Sequence, residues 1–173
     1  LMFHEADFQN CPLQVKKVVS LGNSRVNFVP TIHYKALLSD SIEGFCFRSL
    51  TGECVPFTAE VALKLENYLY DCFTLANASG LQISVVPHLD SAKGNIWRND
   101  ILFDPARGYG GSNYTDDFLR PSWRALQRAN IQQGTFSFQG EMGATIFHHS
   151  NTYLKLVNEF RKQFMNIRIV ALA

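Results

Sequence analysis

No apolar run in this 173-residue chain approaches the roughly 20 residues that a membrane-spanning helix needs. Neither sign of charge is in excess, because the formal net charge is only +1, and this argues against a nucleic acid or an acidic surface as partner. The four cysteines form no Cys-x-x-Cys pair, which disfavours a thiolate zinc site. The absence of a Gly-x-Ser-x-Gly elbow disfavours a Ser-His-Asp hydrolase.

The composition nevertheless describes a globular protein with a core. Apolar residues make up 46% of the chain and charged residues 18%, which is typical of a folded domain rather than a disordered segment. We therefore treat residues 1–173 as one domain. The first residues resemble neither a signal peptide nor an initiator, and the last ones stop inside an apolar strand, so we expect a piece of a longer protein.

Cysteines and glycosylation sequons indicate the compartment. Cys46 and Cys54 flank a short loop that contains Gly, Ser and Thr, where a disulfide would fit, although the spacing alone leaves their pairing open. Two Asn-x-Ser/Thr sequons occur, at Asn77 and Asn113. Disulfides are typical of oxidising compartments, so we predict a secreted or extracytoplasmic protein.

Predicted strands and helices alternate along the chain, which is typical of a parallel sheet with right-handed crossovers. The strands read as continuous apolar runs, as expected when both faces of a sheet are covered. A long loop is predicted over 35–56, and Pro121 suits a helix start. The predicted strands are 1–8 (its end only), 25–33, 81–87, 135–139 and 166–172, and the predicted helices are 12–21, 58–80, 115–129 and 151–164.

An open doubly wound sheet and a (β/α)8 barrel both fit this alternation. No Gly-rich phosphate fingerprint follows a strand, which disfavours a nucleotide-binding open sheet. Polar residues instead follow successive strands: His33, then His88 with Asp90, then Gln139 with Glu141. Side chains at neighbouring strand ends of a barrel share one bowl, so we predict an α/β fold of the TIM-barrel type. About five strands are visible where a barrel needs roughly 250 residues, so we expect the N-terminal part, completed by sequence beyond this chain.

The stretch around Glu141 is the clearest candidate for a catalytic site. Phe136 and Phe138 favour a buried strand, and Gly140 and Gly143 leave the backbone on either side of the carboxylate free to turn. A carboxylate just past a strand end, followed by a helix, is how barrel enzymes present catalytic groups. The alternative is that Glu141 caps or salt-bridges the next segment.

Other strand-end residues are candidates for substrate contact. His88 and Asp90 share a face of an ideal strand and, with His33, can bond sugar hydroxyls; a structural polar cluster is the alternative. The indole of Trp97 can stack on a sugar ring or simply pin its loop. The planar fork of Arg98 can orient a carboxylate or a hydroxyl.

Two amide side chains complete the candidates. Asn99 is a further substrate contact, and Gln139, two residues before Glu141, can share its face and steady its carboxylate. An alternative interpretation is that the strand-end histidines and carboxylates, His33, His88, Asp90 and Glu141, bind one metal ion. Because they come from three strands without a recognised ligand spacing, we predict no metal site.

Four short motifs resemble the middle of clan-A TIM-barrel glycoside hydrolases, most of all the endo-β-mannanase and cellulase-like families. In those families a helix start leads to a Gly-Leu-x-hydrophobic strand, a Pro-His-x-Asp strand end and a Trp-Arg loop. The corresponding segments here are Pro56-Phe57-Thr58, Gly80-Leu81-Gln82-Ile83, Pro87-His88-Leu89-Asp90 and Trp97-Arg98.

The resemblance implies a retaining glycoside hydrolase with a carbohydrate substrate and no cofactor. The family's fourth strand ends in a glutamate that acts as general acid/base, and Glu141 stands at that place, although Gly140 replaces the usual Asn before it. The family's nucleophile ends the seventh strand and is expected beyond this chain; the two carboxyl groups of such enzymes are about 5–5.5 Å apart. The alternative is a non-catalytic carbohydrate-binding or structural barrel that kept the cleft and lost the chemistry.

Overall fold

The computed structural model describes residue 2 and residues 4–172. Leu1 and Phe3, within the predicted first strand, and Ala173 lie outside the described residues. Among the described residues, no helix is both long and apolar enough to cross a membrane. In chain order the elements are α1 (Glu5–Gln9), α2 (Cys11–Ser20), β1 (Arg25–Phe28), β2 (Thr31–Ala36), β3 (Ile42–Arg48), β4 (Cys54–Pro56), α3 (Ala59–Ala78), β5 (Gln82–Val85), β6 (His88–Ser91), β7 (Gly108–Tyr109), β8 (Ser112–Asn113), a π-helical turn (Tyr114–Leu119), α4 (Arg120–Arg128), β9 (Gly134–Gly140), α5 (Gly143–His148), α6 (Ser150–Gln163) and β10 (Ile167–Leu172).

Four parallel strands form the central sheet in the spatial order β1-β5-β9-β10. Ile83 of β5 lies opposite both Val26 of β1 and Gly134 of β9, so β5 is an inner strand. Helices connect β5 to β9 and β9 to β10, as parallel pairing requires. The alternation of strands and helices predicted from the sequence is confirmed.

Two prolines divide the first long strands of the sheet. Pro30 separates β1 from β2 and Pro87 separates β5 from β6, because proline has no N–H for the ladder. β2 and β6 then pair in parallel, so the two strands continue side by side past the break. Met2 forms an isolated parallel bridge to Pro30. In chain order β9 is the third strand of the central sheet and β10 is the fourth.

The segment predicted as a long loop over 35–56 consists largely of antiparallel sheet. β2 pairs with β3, and β3 pairs with β4. Phe45 and Phe47 of β3 are buried. The loop prediction is wrong because the glycines and serines of this segment mark turns between short strands rather than one continuous loop.

Two disulfides tie neighbouring elements together. Cys46–Cys54 joins β3 to β4, with Cα atoms 5.3 Å apart, which is the pair that the sequence left open. Cys11–Cys72 joins α2 to α3, with Cα atoms 5.8 Å apart. The second bridge spans 61 residues, and nothing in the local sequence indicates it.

The predicted helices are present with shifted ends. Thr58 caps α3, because its Oγ1 accepts a hydrogen bond from the N–H of Val61 at 3.4 Å. Pro121 lies in the first turn of α4, where its missing N–H has no cost. The residues before it, predicted as helix from Thr115, form the π-helical turn instead.

The two faces of the central sheet differ in polarity. Phe28 and Val85 point outward toward the helices and are buried. Arg25, Asn27 and Gln82 alternate with such residues and are exposed. The prediction of continuous apolar strands is therefore wrong for the N-terminal halves, because their inner face is open to solvent in the described part of the chain.

An aromatic cluster packs behind β9. The ring of Phe136 stacks on Phe160 at a centroid distance of 4.8 Å. Trp123, predicted as a core residue, is buried and lies 5.5 Å from Phe160 and 5.7 Å from Phe138. Such aromatic pairs contribute about 0.5–1.5 kcal/mol each beyond the area they bury. The cluster thus supports the strand that ends at Gly140.

Candidate active site

Glu141 directly follows β9 at the carboxyl end of the central sheet. Its backbone lies in the left-handed region with a φ of 55°, which costs a residue with a side chain about 1–2 kcal/mol. Backbone strain of this kind clusters at functional sites. The side chain is 41% exposed, so a substrate can reach the carboxylate.

Arg98 joins Glu141 to a second carboxylate. Its Nη2 pairs with Oε2 of Glu141, and its Nη1 lies 3.5 Å from Oδ1 of Asp90. Because Asp90 lies on β6 and Glu141 follows β9, the guanidinium links the ends of two barrel strands. Its planar fork suits this bridge better than an ammonium group would. Glu141 therefore forms a salt bridge, but with a residue that precedes it in the chain and not with the next segment, as the alternative had it.

Two histidines lie beside this ion-paired group. His33 is opposite Asp90 in the ladder between β2 and β6 and is 2% exposed. Burial and the nearby Arg48 lower the pKa of His33 to about 4, against the opposing effect of Asp90. Burial and Arg98 also lower the pKa of His88. Both rings are therefore neutral at neutral pH.

The backbone that follows Glu141 is hydrogen-bonded from two directions. Oε1 of Gln139 accepts from the N–H of Met142 at 2.7 Å. Oδ1 of Asn99 accepts from the N–H of Gly143 at 2.6 Å. These N–H groups lie at the start of α5, where a helix has no internal acceptor for them. The two amide side chains thus hold the turn that carries the carboxylate.

Trp97 stands at the border of the site with 55% of its surface exposed. Its loop is anchored by Tyr34, whose hydroxyl donates to the carbonyl of Ile96 at 2.6 Å. Burial raises the pKa of Tyr34 to about 12, so the phenol remains a donor. The alternative in which Trp97 pins its own loop is not supported, because another residue does so and the indole stays exposed.

All predicted site residues lie at the carboxyl ends of the barrel strands or in the loop after β6. His33 lies beneath the surface, and its burial does not support a direct substrate contact; the contacts of the others with a substrate stay predictions. Sequence reasoning missed the anchoring role of Tyr34 and the pairing of Arg98 with both carboxylates. Opposite charges after successive strands were the available signal for that pairing. The residues are His33, His88, Asp90, Trp97, Arg98, Asn99, Gln139 and Glu141.

The polar residues at these strand ends are not arranged as a metal centre. Among the described residues, no group of three or more His, Cys, Asp or Glu side chains is placed to hold a metal ion. The guanidinium of Arg98 occupies the position between the two carboxylates instead. A metal cation at the same place would be repelled by it.

A cavity of about 830 Å³ lies at the opposite end of the central sheet. Its lining comes from the first residues of the four parallel strands and includes Arg25, Gln82, Thr135 and Arg168. In barrels and other parallel α/β folds, catalytic groups and ligands lie at the carboxyl ends of the strands. We therefore place the candidate site at Glu141 rather than in this cavity.

Solved structures of β-mannanases share the fold. A GH113 β-1,4-mannanase in a complex structure matches 94% of this chain and 50% of its own, with 15% identity and a TM-score of 0.54. A second GH113 β-1,4-mannanase structure gives the same coverage and identity with a TM-score of 0.56. The GH113 β-mannanase AaManA from Alicyclobacillus acidocaldarius, in complex with ManMIm, matches 92% of this chain and 48% of its own at 14% identity, with a TM-score of 0.59.

At this level of identity the likeness shows the fold alone. No family model matches the chain, and no curated protein sequence matches it. The chain spans about half the length of the mannanases that it resembles. The fold is α/β and corresponds to a partial TIM barrel, as the sequence predicted.

Proposed function

We propose that the protein is a retaining glycoside hydrolase of β-linked polysaccharide or oligosaccharide, with Glu141 as general acid/base. The observation that carries the proposal is the exposed carboxylate that directly follows β9 at the carboxyl end of the central sheet, paired with Arg98. The shared fold with β-mannanases supports it. Because the matched structures are of β-mannanases, β-mannan is the first substrate to test.

In the proposed mechanism Glu141 first acts as an acid. It gives its proton to the glycosidic oxygen while a second carboxylate, outside the described residues, attacks the sugar carbon and the glycosidic bond breaks. The ionised Glu141 then takes a proton from water, whose oxygen bonds to the same carbon and releases the second carboxylate. Arg98 keeps Asp90 as its partner while Glu141 is protonated.

The substrate lies across the carboxyl ends of the strands in this proposal. Trp97 offers an exposed indole face on which a sugar ring can stack. Asp90 and the neutral ring of His88 present hydrogen-bonding groups on the same strand. Nε2 of His88 is buried and has no hydrogen-bond partner among the described residues, so a sugar hydroxyl that reached it would satisfy a polar atom.

We also propose an extracytoplasmic location. All four cysteines are paired in two disulfides, and disulfides persist in oxidising compartments. Polysaccharide substrates are also found mainly outside cells. Localisation of the natural protein by cell fractionation, with the thiols trapped by alkylation, tests this proposal; reduced cysteines in a cytosolic fraction would contradict it.

Reducing-sugar release by the full-length natural protein from β-mannan, β-glucan and xylan tests the function. Glu141→Gln removes the transferable proton and should lower the rate about 10²–10⁴-fold. Glu43→Gln changes an exposed glutamate of β3 and should leave the rate unchanged. Circular dichroism checks that both variants are folded. Full activity in Glu141→Gln would place the acid elsewhere.

A carbohydrate-binding barrel without catalysis is the second candidate, because the exposed Trp97 would serve binding equally well. This candidate predicts no reducing-sugar release on any of the three polysaccharides. It also predicts oligosaccharide binding by calorimetry that is weakened in Trp97→Ala and unchanged in Glu43→Gln. Hydrolysis that depends on Glu141 would exclude it.

A further inference from the structure

Arg98 and Asn99 are adjacent, yet they hold different parts of the same segment. Arg98 pairs with the carboxylate of Glu141, and Asn99 binds the backbone two residues further on, at Gly143. We propose that Asn99 is a positioning residue that sets the orientation of Glu141, rather than a sugar contact. This inference rests on the proposed catalytic role of Glu141.

Asn99 caps α5 from a distant part of the chain. Its Oδ1 accepts from the N–H of Gly143 at 2.6 Å, and its backbone carbonyl accepts from the N–H of Ala144 at 3.0 Å. The first N–H groups of a helix have no acceptor within the helix, and the local cap residue, Met142, supplies no side-chain acceptor. Asn99, 44 positions earlier in the chain than Gly143, therefore acts as the N-cap of α5.

Gln139 holds the other side of the same turn through the N–H of Met142. Three consecutive N–H groups, at residues 142, 143 and 144, are thus bonded to two separate segments. Glu141 directly precedes them and keeps a left-handed backbone, which persists only when its surroundings hold it. Without Asn99 the turn can relax, and the direction of the Glu141 side chain changes with it.

The absence of a side chain at Gly143 leaves room for the amide of Asn99. A β-carbon at this position would lie 2.7 Å from Oδ1 of Asn99, which is closer than carbon and oxygen atoms approach. Gly143→Ala would therefore push the Asn99 amide away without removing any polar group from the chain. It provides a second, independent way to break the contact.

Positioning and sugar binding make different demands on Asn99. Positioning uses the acceptor Oδ1, whereas donation to a sugar oxygen would use Nδ2. Asn99→Asp keeps an acceptor and removes the donor, and Asn99→Ala removes both. Asn95→Ala is the matched control, because Asn95 lies in the same loop and its side chain bonds Ser91 instead.

The test measures kcat and KM of the full-length protein on the polysaccharide that it cleaves. Asn99→Ala and Gly143→Ala should each lower kcat by up to about 10²-fold with little change in KM, because misplacing a catalytic group has an effect of this size. Asn99→Asp should retain most of kcat, and Asn95→Ala should match the unmodified protein. The double variant should have a kcat no lower than that of the less active single variant, because both changes remove the same contact between Asn99 and Gly143.

Amide hydrogen exchange at residues 143 and 144 supplies a readout that does not depend on activity. Exchange should be faster in Asn99→Ala and in Gly143→Ala and unchanged in Asn95→Ala. A raised KM with unchanged kcat in both Asn99→Ala and Asn99→Asp would overturn the inference in favour of a sugar contact. If Asn99→Ala does not fold, Gly143→Ala decides, and normal kcat in that variant overturns the inference.

The two proposals can fail separately. Full activity in Glu141→Gln would refute the proposed function, and it would leave the exchange measurement to decide whether Asn99 holds this turn. Unchanged exchange in Asn99→Ala would refute the positioning role even in an enzyme whose activity depends on Glu141.

Discussion

The two ends of the central sheet treat their charged residues differently. At the carboxyl end, Arg98 lies between Asp90 and Glu141 and is only 21% exposed. At the amino end, Arg25 and Arg168 are exposed at the mouth of a cavity, and neither forms an ion pair among the described residues. The charged residues are therefore ion-paired and partly buried at the carboxyl end, which we call the organised end, and exposed to solvent at the amino end, which we call the solvated end.

The carboxyl end of the sheet is where the unfavourable local interactions of this comparison are found. Charges that are partly removed from water lose solvation and need close partners, and a left-handed glutamate costs free energy. Both occur at the carboxyl end, where packing and hydrogen bonds hold them. The exposed arginines at the amino end need no such support. This contrast supports the proposal that the functional site lies at the carboxyl end.

Removing the packing behind β9 should have the largest effect. Phe160 is fully buried and stacks on Phe136, so Phe160→Ala should lower the free energy of unfolding by about 3–5 kcal/mol. Arg168→Ala at the solvated end should change it by less than about 0.5 kcal/mol. Urea denaturation measures both. Equal effects would mean that the packing behind β9 contributes no more to the free energy of unfolding than the solvated end does.

Acid should weaken the organised end through His33. Its pKa is lowered to about 4 from an ordinary 6.5, so the unfolded chain binds this proton first as the pH falls. The stabilisation is complete above pH 6.5 and is lost progressively down to about pH 4, by up to about 3 kcal/mol. Arg48 and His88 add to the lowering and Asp90 opposes it.

Unfolding free energies measured between pH 4 and 7 test this dependence. The slope should be smaller in His33→Gln, because this side chain cannot titrate. His148→Gln should keep the slope of the unmodified protein, because that ring is exposed. An identical slope in His33→Gln would show that other groups cause the acid sensitivity.

Changing the shape of the bridging cation should have the smallest effect. Arg98→Lys keeps the charge and loses the fork that reaches both Asp90 and Glu141, so kcat/KM should fall by about 10-fold, or about 1.4 kcal/mol. Arg168→Lys should leave activity unchanged. Full activity in Arg98→Lys would show that charge alone is sufficient at this place.

Local patterns predicted the elements that depend on local interactions. The Thr58 cap and the apolar spacing after it located α3, and the aromatic alternation of Phe136 and Phe138 located β9. The position of Glu141 followed from the end of that strand. These features need only neighbours in sequence, so they could be read directly.

Contacts between distant segments could not be read in the same way. The antiparallel pairing of β3 and β4 was hidden by turn residues, and the Cys11–Cys72 disulfide depends on how two helices pack. Likewise, Asn99 was predicted only as a substrate contact, because its bond to Gly143 joins residues 44 positions apart. No local periodicity reports such a contact.

The sequence by itself determined the alternation of strands and helices, because this follows from the periodicity of apolar residues. It also determined the barrel class, because polar side chains follow successive strands and no Gly-rich phosphate fingerprint does. Only the tertiary structure decided that Arg98 bridges Asp90 and Glu141, that His33 is buried and that Asn99 caps α5. Those outcomes depend on which segments meet when the sheet twists and its helices pack, and on the desolvation that follows.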